Sequence, residues 1–482
     1  MEENKFKTLL QLCSVYSRLG NHHALSALIE EILACPESKD HPDLRQVLLR
    51  QLLLSYSSLG KVWELLGAAE KLLEESQEKP DQIWALEVLS DKYCELGDWE
   101  KTKFVTKKLL SLLDEAPRVC RALFRLAIAC GKLGFREEAE QYLQTLLEKE
   151  NDPHTHAMVQ GLLANFVFMD GNLEKSVSLY QEAAERLRPP LKWTAITGAA
   201  YIYALQGDMQ RALAELGKIP ANVEVDTQTY ASILATKQSL FALAGQIKEA
   251  EDMLMNLLRL NPQNNPLLKA MVGLAQARQH FDRGAIAAAL AAAEEALDAA
   301  IKAEANGIQC EALVLITRLY LAKGDLDKAE RTIEAAIEML PQVGRLQEPP
   351  TFLALATLRT RQGAFREAHA AFNQALEVAK EMGVKSMECQ ALLERASELH
   401  LRSLSEAMRE DLEEGLTIAI KCEYKVYEAL FTGLLGVFYF HKGENALAES
   451  YLEDSIKQCE AMGYHGPARS MIEEVRAKLR GW

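Results

Sequence analysis

The sequence contains no C-x-x-C pair, no long basic run, no apolar window of membrane length, and only 7% aromatic residues. Each absence removes a class of protein. Nine cysteines (Cys13, Cys35, Cys94, Cys120, Cys130, Cys310, Cys389, Cys422 and Cys459) are odd in number and scattered among apolar neighbours. That pattern suits reduced, buried thiols in a cytoplasmic protein and not a disulfide framework. With 54 basic against 69 acidic residues the formal charge is −15, which disfavours direct binding to nucleic acid or to anionic lipid. The opening MEENKFKTLLQLCSVY builds no signal-peptide core, and no stretch of about 18 apolar residues predicts membrane insertion.

Catalytic patterns are missing as well. There is no G-x4-G-K-[ST] phosphate loop, no H-E-x-x-H and no G-x-S-x-G turn. His22 and His23 are adjacent, so on a helix they point about 100° apart and do not share a metal. His154 and His156 fall in the stretch NDPHTH, read as a surface loop, with no third ligand nearby in sequence. Paired glutamates such as Glu137 and Glu138 sit on polar helix faces, where water keeps both charged. The sequence therefore predicts a non-enzymatic chain with no cofactor and no metal.

What is present is periodicity. The stretch LLGVFYFHKGENALA, Leu434 to Ala448, has the spacing of one helix, a glycine turn and a second helix folded back on the first. Its glycine recurs as Gly20, Gly60, Gly97, Gly134, Gly171, Gly207, Gly245, Gly284, Gly324, Gly363 and Gly443, with a twelfth marker at Arg402. Successive markers lie 36 to 41 residues apart. Glycine suits a helix that ends in a left-handed reversal, because it carries no Cβ.

Positions keep register around the marker. An aromatic stands four residues upstream (Tyr16, Tyr56, Tyr93, Tyr203, Phe241, Tyr320, Tyr439), one turn from an aliphatic eight upstream (Leu12, Leu52, Leu89, Leu126, Leu163, Ile316, Leu355, Leu435). Five residues downstream a small residue recurs, as in Ala139, Ala212, Ala250, Ala289, Ala329, Ala368, Ala407 and Ala448, letting the two helices approach closely. All fourteen prolines are expected between the second helix of one unit and the first helix of the next.

The pattern L-x3-Y-x3-G-x4-A-x3-[LF]-x2-A-x4-P resembles the tetratricopeptide repeat. GDLDKAERTIEAAIEMLP, Gly324 to Pro341, carries its second half with Ala329, Ile333, Ala336 and Pro341 in place. Units of 36 to 41 residues exceed the usual repeat of about 34, so helices or loops are longer. That length is similar to the long-repeat arrays in the sensor portion of STAND-type bacterial regulators. The resemblance implies an all-α, right-handed superhelical solenoid of about twelve antiparallel helix pairs. Residues 467–480 are amphipathic and predict a final capping helix. Helix B of the sixth unit is expected to stop early at GKIP, Gly217 to Pro220. The chain accordingly divides into units one to six (1–217), a hinge or pitch change (218–228), units seven to twelve (229–464), and a cap with the C-terminus (465–482).

In tetratricopeptide arrays, ligands meet the concave face of the first helices. Carried onto this chain, those positions give Trp84, Arg121, Phe124, Asn165, Phe168, Met169 and Tyr201, with Arg278 and Arg318 equivalent in adjacent units. Aromatics supply contact area, the Asn165 amide suits a peptide backbone, and two guanidinium forks suit one carboxylate or phosphate. The expected function is a scaffold or adaptor that binds a peptide or partner protein in this groove. The rival is the ligand- or partner-sensing module of a STAND-type regulator. A chaperone-tail clamp is disfavoured, since the first two units offer Lys7, Ser14 and Ser17, then Arg50, Leu54 and Ser57.

Overall fold

Each turn glycine ends one helix while the residue after it starts the next. In the computed structural model all eleven glycine markers have φ between 65° and 88°. At Gly324 the Asp325 N–H bonds to the Tyr320 carbonyl at 3.0 Å and the Gly324 N–H to Leu321 at 3.1 Å, the paired bonds that close a helix end. The side chains of Asn21, Asp98, Asn172, Asp208 and Asp325 then accept the backbone N–H three residues on, capping the second helix. The structure describes residues 2–220, 223, 225–260, 265–400, 405–464 and 467–480. The marker at Arg402 and part of the 218–228 segment lie outside the described residues.

Twenty-five helices and no strand occur among the described residues, forming an all-α repeat solenoid. The chain falls into two compact units, Met1–Glu150 and Asn151–Trp482. The first holds four pairs: α1 (Glu2–Arg18) and α2 (His22–Ala34), α3 (Pro42–Leu59) and α4 (Val62–Glu75), α5 (Lys79–Glu95) and α6 (Trp99–Leu110), α7 (Ala116–Lys132) and α8 (Arg136–Lys149). The second begins with α9 (Pro153–Met169) and α10 (Leu173–Arg186), α11 (Leu191–Gln206) and α12 (Met209–Leu216), α13 (Thr227–Leu243) and α14 (Ile247–Leu258). It continues with α15 (Pro266–Asp282) and α16 (Ile286–Lys302), α17 (Asn306–Lys323) and α18 (Leu326–Val343), α19 (Glu348–Arg361) and α20 (Phe365–Met382). Then come α21 (Lys385–Glu394), extended by a π-helical turn, Arg395–His400, and α22 (Glu406–Lys421). The pair α23 (Lys425–Lys442) and α24 (Asn445–Met462) precedes the capping helix α25 (Pro467–Leu479). The 218–228 segment lies inside the second unit, after the eight-residue α12.

After Gly284 the second helices are longer, whereas α14 of the seventh pair has only 12 residues. Those of the second to fifth pairs have 12 to 14 residues; α16 has 17, and α18, α20 and α24 have 18. The second helices of the eighth to twelfth pairs, the 16-residue α22 included, are each followed by a second positive-φ residue: Glu304 (49°), Gly344 (95°), Gly383 (70°), Glu423 (58°) and Gly463 (71°). Glutamate in that region costs about 1 kcal/mol, so the turn geometry overrides residue preference at Glu304 and Glu423.

Packing follows the repeat. Ala139, Ala212, Ala289, Ala329, Ala368 and Ala448 are fully buried between paired helices. The tyrosine before four of the turns has a polar task that sequence reasoning missed. Its hydroxyl reaches the second helix of the preceding pair, ten residues beyond that pair's glycine. Tyr56 donates to Glu30, Tyr93 donates to Glu70 at 2.6 Å, Tyr320 donates to Glu294 at 3.3 Å, and Gln181 donates to the Tyr203 oxygen at 3.0 Å. A hydrogen bond at a part-buried seam contributes about 1 kcal/mol and fixes the stacking register.

Two local expectations need correction. Pro341 lies inside α18, not beyond it. The helix continues to Val343, whose side chain is buried, and at this late position proline removes only one ladder bond. His154 and His156 sit in the first turn of α9, not in a loop. Pro153 opens that helix and the Asp152 side chain accepts the Thr155 N–H at 2.7 Å; two residues apart, the imidazoles point about 160° apart.

Within the second unit the array folds back on itself. A methyl placed on Gly171 would meet the Met382 sulfur at 2.6 Å, and one on Gly245 the Met462 sulfur at 2.5 Å. Between these two rungs, Gly207 lies directly against the Cys422 thiol. Tyr424, fully buried, donates to the Ala204 carbonyl 220 residues away at 2.5 Å and approaches that of Leu205 at 3.3 Å. Glu423 accepts from Gln210 at 3.1 Å. The turns of the fifth to seventh pairs thus rest on the ends of α20, α22 and α24. One apolar core joins Ala200, Ala204 and Met209 to Phe372, Cys389, Met408 and Phe431.

Burial governs the thiols. It pushes up the pKa of Cys13, Cys94, Cys120, Cys130, Cys389, Cys422 and Cys459, and that of Cys310 to about 11. Only Cys35 and Cys94 are half-buried; the other seven are buried. In native protein at neutral pH, a chromogenic disulfide reagent is expected to react promptly at Cys35 and Cys94 alone. The remaining seven should react only after denaturant, which a count of released chromophore before and after unfolding checks.

Candidate functional site

The first helices of the sixth and seventh pairs carry hydroxyl side chains at helical spacing on one face. On α11 these are Thr194 and Thr197, followed by Tyr201 one turn on; on α13 they are Thr229, Ser232, Thr236 and Ser239. Steps of three and four residues keep such side chains in line. With Asn165 and Phe168 from α9 and Tyr180 from α10, all of these α11 and α13 residues except Ser239 bound a cavity of about 190 Å³. A second recess of about 360 Å³ shares Tyr201 and Thr236 and runs on past Gln238, Ser239, Met271 and Arg278 to Glu311 on α17.

The wall is held in place by close packing. Gly198 admits the Tyr180 ring, which would lie 2.8 Å from a methyl at that position. The Tyr180 hydroxyl donates to the Asn165 side-chain oxygen at 3.2 Å. Phe168 and Tyr201 meet edge to face with ring centroids 6.0 Å apart. Burial pushes the Tyr180 hydroxyl up; it does the same to Tyr201, with Glu311 adding and Arg278 opposing. Both hydroxyls therefore keep their protons at physiological pH, and that of Tyr180 donates to Asn165.

The charge of this surface is its distinctive property. No charged residue lines the first cavity, in a chain of net charge −15. Only Arg278 and Glu311 are charged in the second, and they are paired with each other. A surface of this kind selects by shape and hydrogen bonding, and long-range electrostatics contribute little.

Of the sequence-derived positions, Asn165, Phe168 and Tyr201 come together, and Arg278 stands at the far end of the adjoining recess. Met169 is half-buried at the end of α9. Arg318 is occupied by its own chain: its two terminal nitrogens bond Glu394 at 2.9 and 3.2 Å, and Glu394 also accepts from Gln390 at 2.9 Å. Arg278 and Arg318 thus face different glutamates. In the first unit, Trp84 is half-buried against the local core, Phe124 is half-buried and Arg121 is exposed. The hydroxyl ladder was missed although its signal, serine and threonine at three- and four-residue steps, is visible in the sequence. Among the described residues no cluster of three or more His, Cys, Asp or Glu is placed to hold a metal ion. No helix among them is long and apolar enough to cross a membrane.

Comparison with known proteins adds a family. The family model of the MalT-like TPR region matches residues 222–466. A solved tetratricopeptide repeat protein from Parabacteroides merdae ATCC 43184 is 20% identical, with a TM-score of 0.37 over 56% of this chain and 99% of that one. The structure of a Rap protein complexed with competence and sporulation factor is 14% identical, with a TM-score of 0.42 over 68% of this chain and 98% of that one. Curated proteins yield no match.

Proposed function

Because the chain belongs to the MalT-like TPR region family, we propose that it is a non-catalytic recognition module of the cytoplasm. It holds an uncharged stretch of a peptide or partner protein against the first helices of the fifth to ninth pairs. The observation that carries this reading is the pair of neutral, hydroxyl-lined recesses that meet at Tyr201 and Thr236. An extended peptide leaves backbone donors and acceptors unpaired, and a ladder of hydroxyls and amides answers both kinds. The Phe168–Tyr201 edge offers apolar area for one side chain.

A second reading, the sensing module of a STAND-type regulator, draws support from the rungs of the fold. The helices α11 and α13 that line the recesses end at Gly207 and Gly245, the glycines that bear on Cys422 and Met462. A ligand seated between these helices and shifting them would act on that closure.

The test is selection of displayed peptides against the purified chain, followed by affinity measurements on Thr236→Trp, which fills the junction of both recesses. The selected peptides are expected to be uncharged at their centre, to lose at least about tenfold in affinity, or about 1.4 kcal/mol, on the variant, and to change little with added salt. Equal binding to Thr236→Trp, or binding that collapses with salt, would reject the site.

A further inference from the structure

The turns of the fifth to seventh pairs rest on the ends of later second helices, and each rests on sulfur. Gly171 lies on Met382, Gly207 on Cys422 and Gly245 on Met462. The three sulfur residues hold one position in the repeat, the last before a second positive φ, at Gly383, Glu423 and Gly463. The eighth and ninth pairs, whose ends carry none of these turns, have Ala303 and Val343 in that place. With 13 methionines and 9 cysteines in 482 residues, composition alone does not supply sulfur at all three bearing positions.

The three seats differ in access. Met382 and Cys422 are each 6% exposed, whereas Met462 is half-buried. A methyl on Gly245 would stand 2.5 Å from the Met462 sulfur and 2.8 Å from the Lys425 Cβ, so the thioether lies directly on the glycine backbone. Lys425 is three residues from Cys422, which ties this seat to the next. The thioether serves here as an apolar filler, and its polarity can be changed reversibly by an oxidant.

We propose that Met462 is an oxidation site that releases the closure of the second unit. Its sulfur lone pair attacks one oxygen of hydrogen peroxide. The S–O bond forms as the O–O bond breaks, the sulfur loses two electrons, and the other oxygen takes up the proton and leaves as water. The resulting sulfoxide is wider at sulfur and polar. Against glycine backbone it must swing away, because a polar group held there without a partner is costly. Gly245 then lifts from the end of α24, and Gly207 loosens over Cys422 next. The proposal is independent of the ligand recess.

Peroxide treatment of the full chain tests it, with sulfoxide formation and iodoacetamide labelling of Cys422 both read by peptide mass mapping. In untreated protein Cys422 should label slowly. Once Met462 is oxidised the rate should rise at least about tenfold, because labelling of a buried thiol follows the population of the open form, and helicity should stay unchanged. Met462→Leu keeps the apolar seat; it still takes up oxygen at the exposed Met158 and Met255, and it should keep the slow rate. Met462→Gln, polar without any oxidant, should label fast from the start. An unchanged Cys422 rate in wild type fully oxidised at Met462 overturns the proposal. So does a Met462→Leu variant that opens under peroxide as wild type does. Loss of helicity on oxidation overturns it too, since the unit would then be unfolding and not unlatching.

Discussion

Gly207→Ala is expected to destabilise the second unit by about 3 kcal/mol, roughly 1 to 2 from placing a side chain at positive φ and the rest from overpacking. Gly207 has φ +88°, and the added methyl would press into the Cys422 thiol and Cβ. Gly363 isolates the first contribution. Its φ is +81°, yet a methyl there would have nothing within 4 Å, so Gly363→Ala should cost only about 1 kcal/mol. Urea midpoints of the two variants, followed by circular dichroism, measure the difference. Adding Cys422→Ala should recover part of the Gly207→Ala loss and none of the Gly363→Ala loss. Equal midpoints for the two glycine variants would mean that the turn of the sixth pair does not rest on the end of α22.

The second large effect is expected at the π-helical turn. Arg395 bonds Asp411 at 2.9 and 2.5 Å and the Asn373 side-chain oxygen at 2.6 Å, tying that turn to α22 and α20. The two charged side chains are 15% and 7% exposed. Arg395→Met keeps the aliphatic stem but takes the Arg395 cation from the buried Asp411 carboxylate, at a cost of roughly 3 to 5 kcal/mol. Replacing both, as Arg395→Met/Asp411→Leu, should restore most of that loss, since the charge no longer needs a partner. At the surface, Lys380 and Glu414 lie 2.6 Å apart with both side chains 44% exposed; Lys380→Met should cost less than about 1 kcal/mol. Thermal midpoints of the four proteins check the order. If Arg395→Met proved no worse than Lys380→Met, water would have to reach Asp411.

Legibility in the sequence followed the range of the interaction. The glycine turns, the small residue five positions on and the final amphipathic helix are decided within one unit, so their residue types stand in plain view. Gly324 with Asp325 shows why: one dipeptide ends α17 and caps α18. Contacts between neighbouring pairs were half legible. The tyrosine before the turn is conspicuous, but its partner ten residues past the previous glycine is Glu30, Glu70, Gln181 or Glu294, and a change from acid to amide hides the column. Contacts across several pairs were not legible. Nothing in Arg318 announces Glu394, 76 residues on, and nothing in Gly207 announces Cys422. Three of the expected residues, Asn165, Phe168 and Tyr201, line one recess because they stand on two consecutive first helices. Their hydroxyl neighbours went unnoticed because serine and threonine on a helix ordinarily read as solvent-facing.

The bond from Tyr424 to the carbonyl of Ala204, 220 residues away, also bears on how the second unit forms. A linear array whose pairs touch only their neighbours has low contact order, nucleates anywhere and frays from its ends. The rungs at Gly171, Gly207 and Gly245 close a loop through the eighth and ninth pairs, so the last contacts await an ordered path of some two hundred residues, a closure with an entropic barrier. The stretch from 151 to 482 should therefore refold slowly and unfold in one sharp transition, with amides of the eighth and ninth pairs exchanging no sooner than those of the rungs that enclose them.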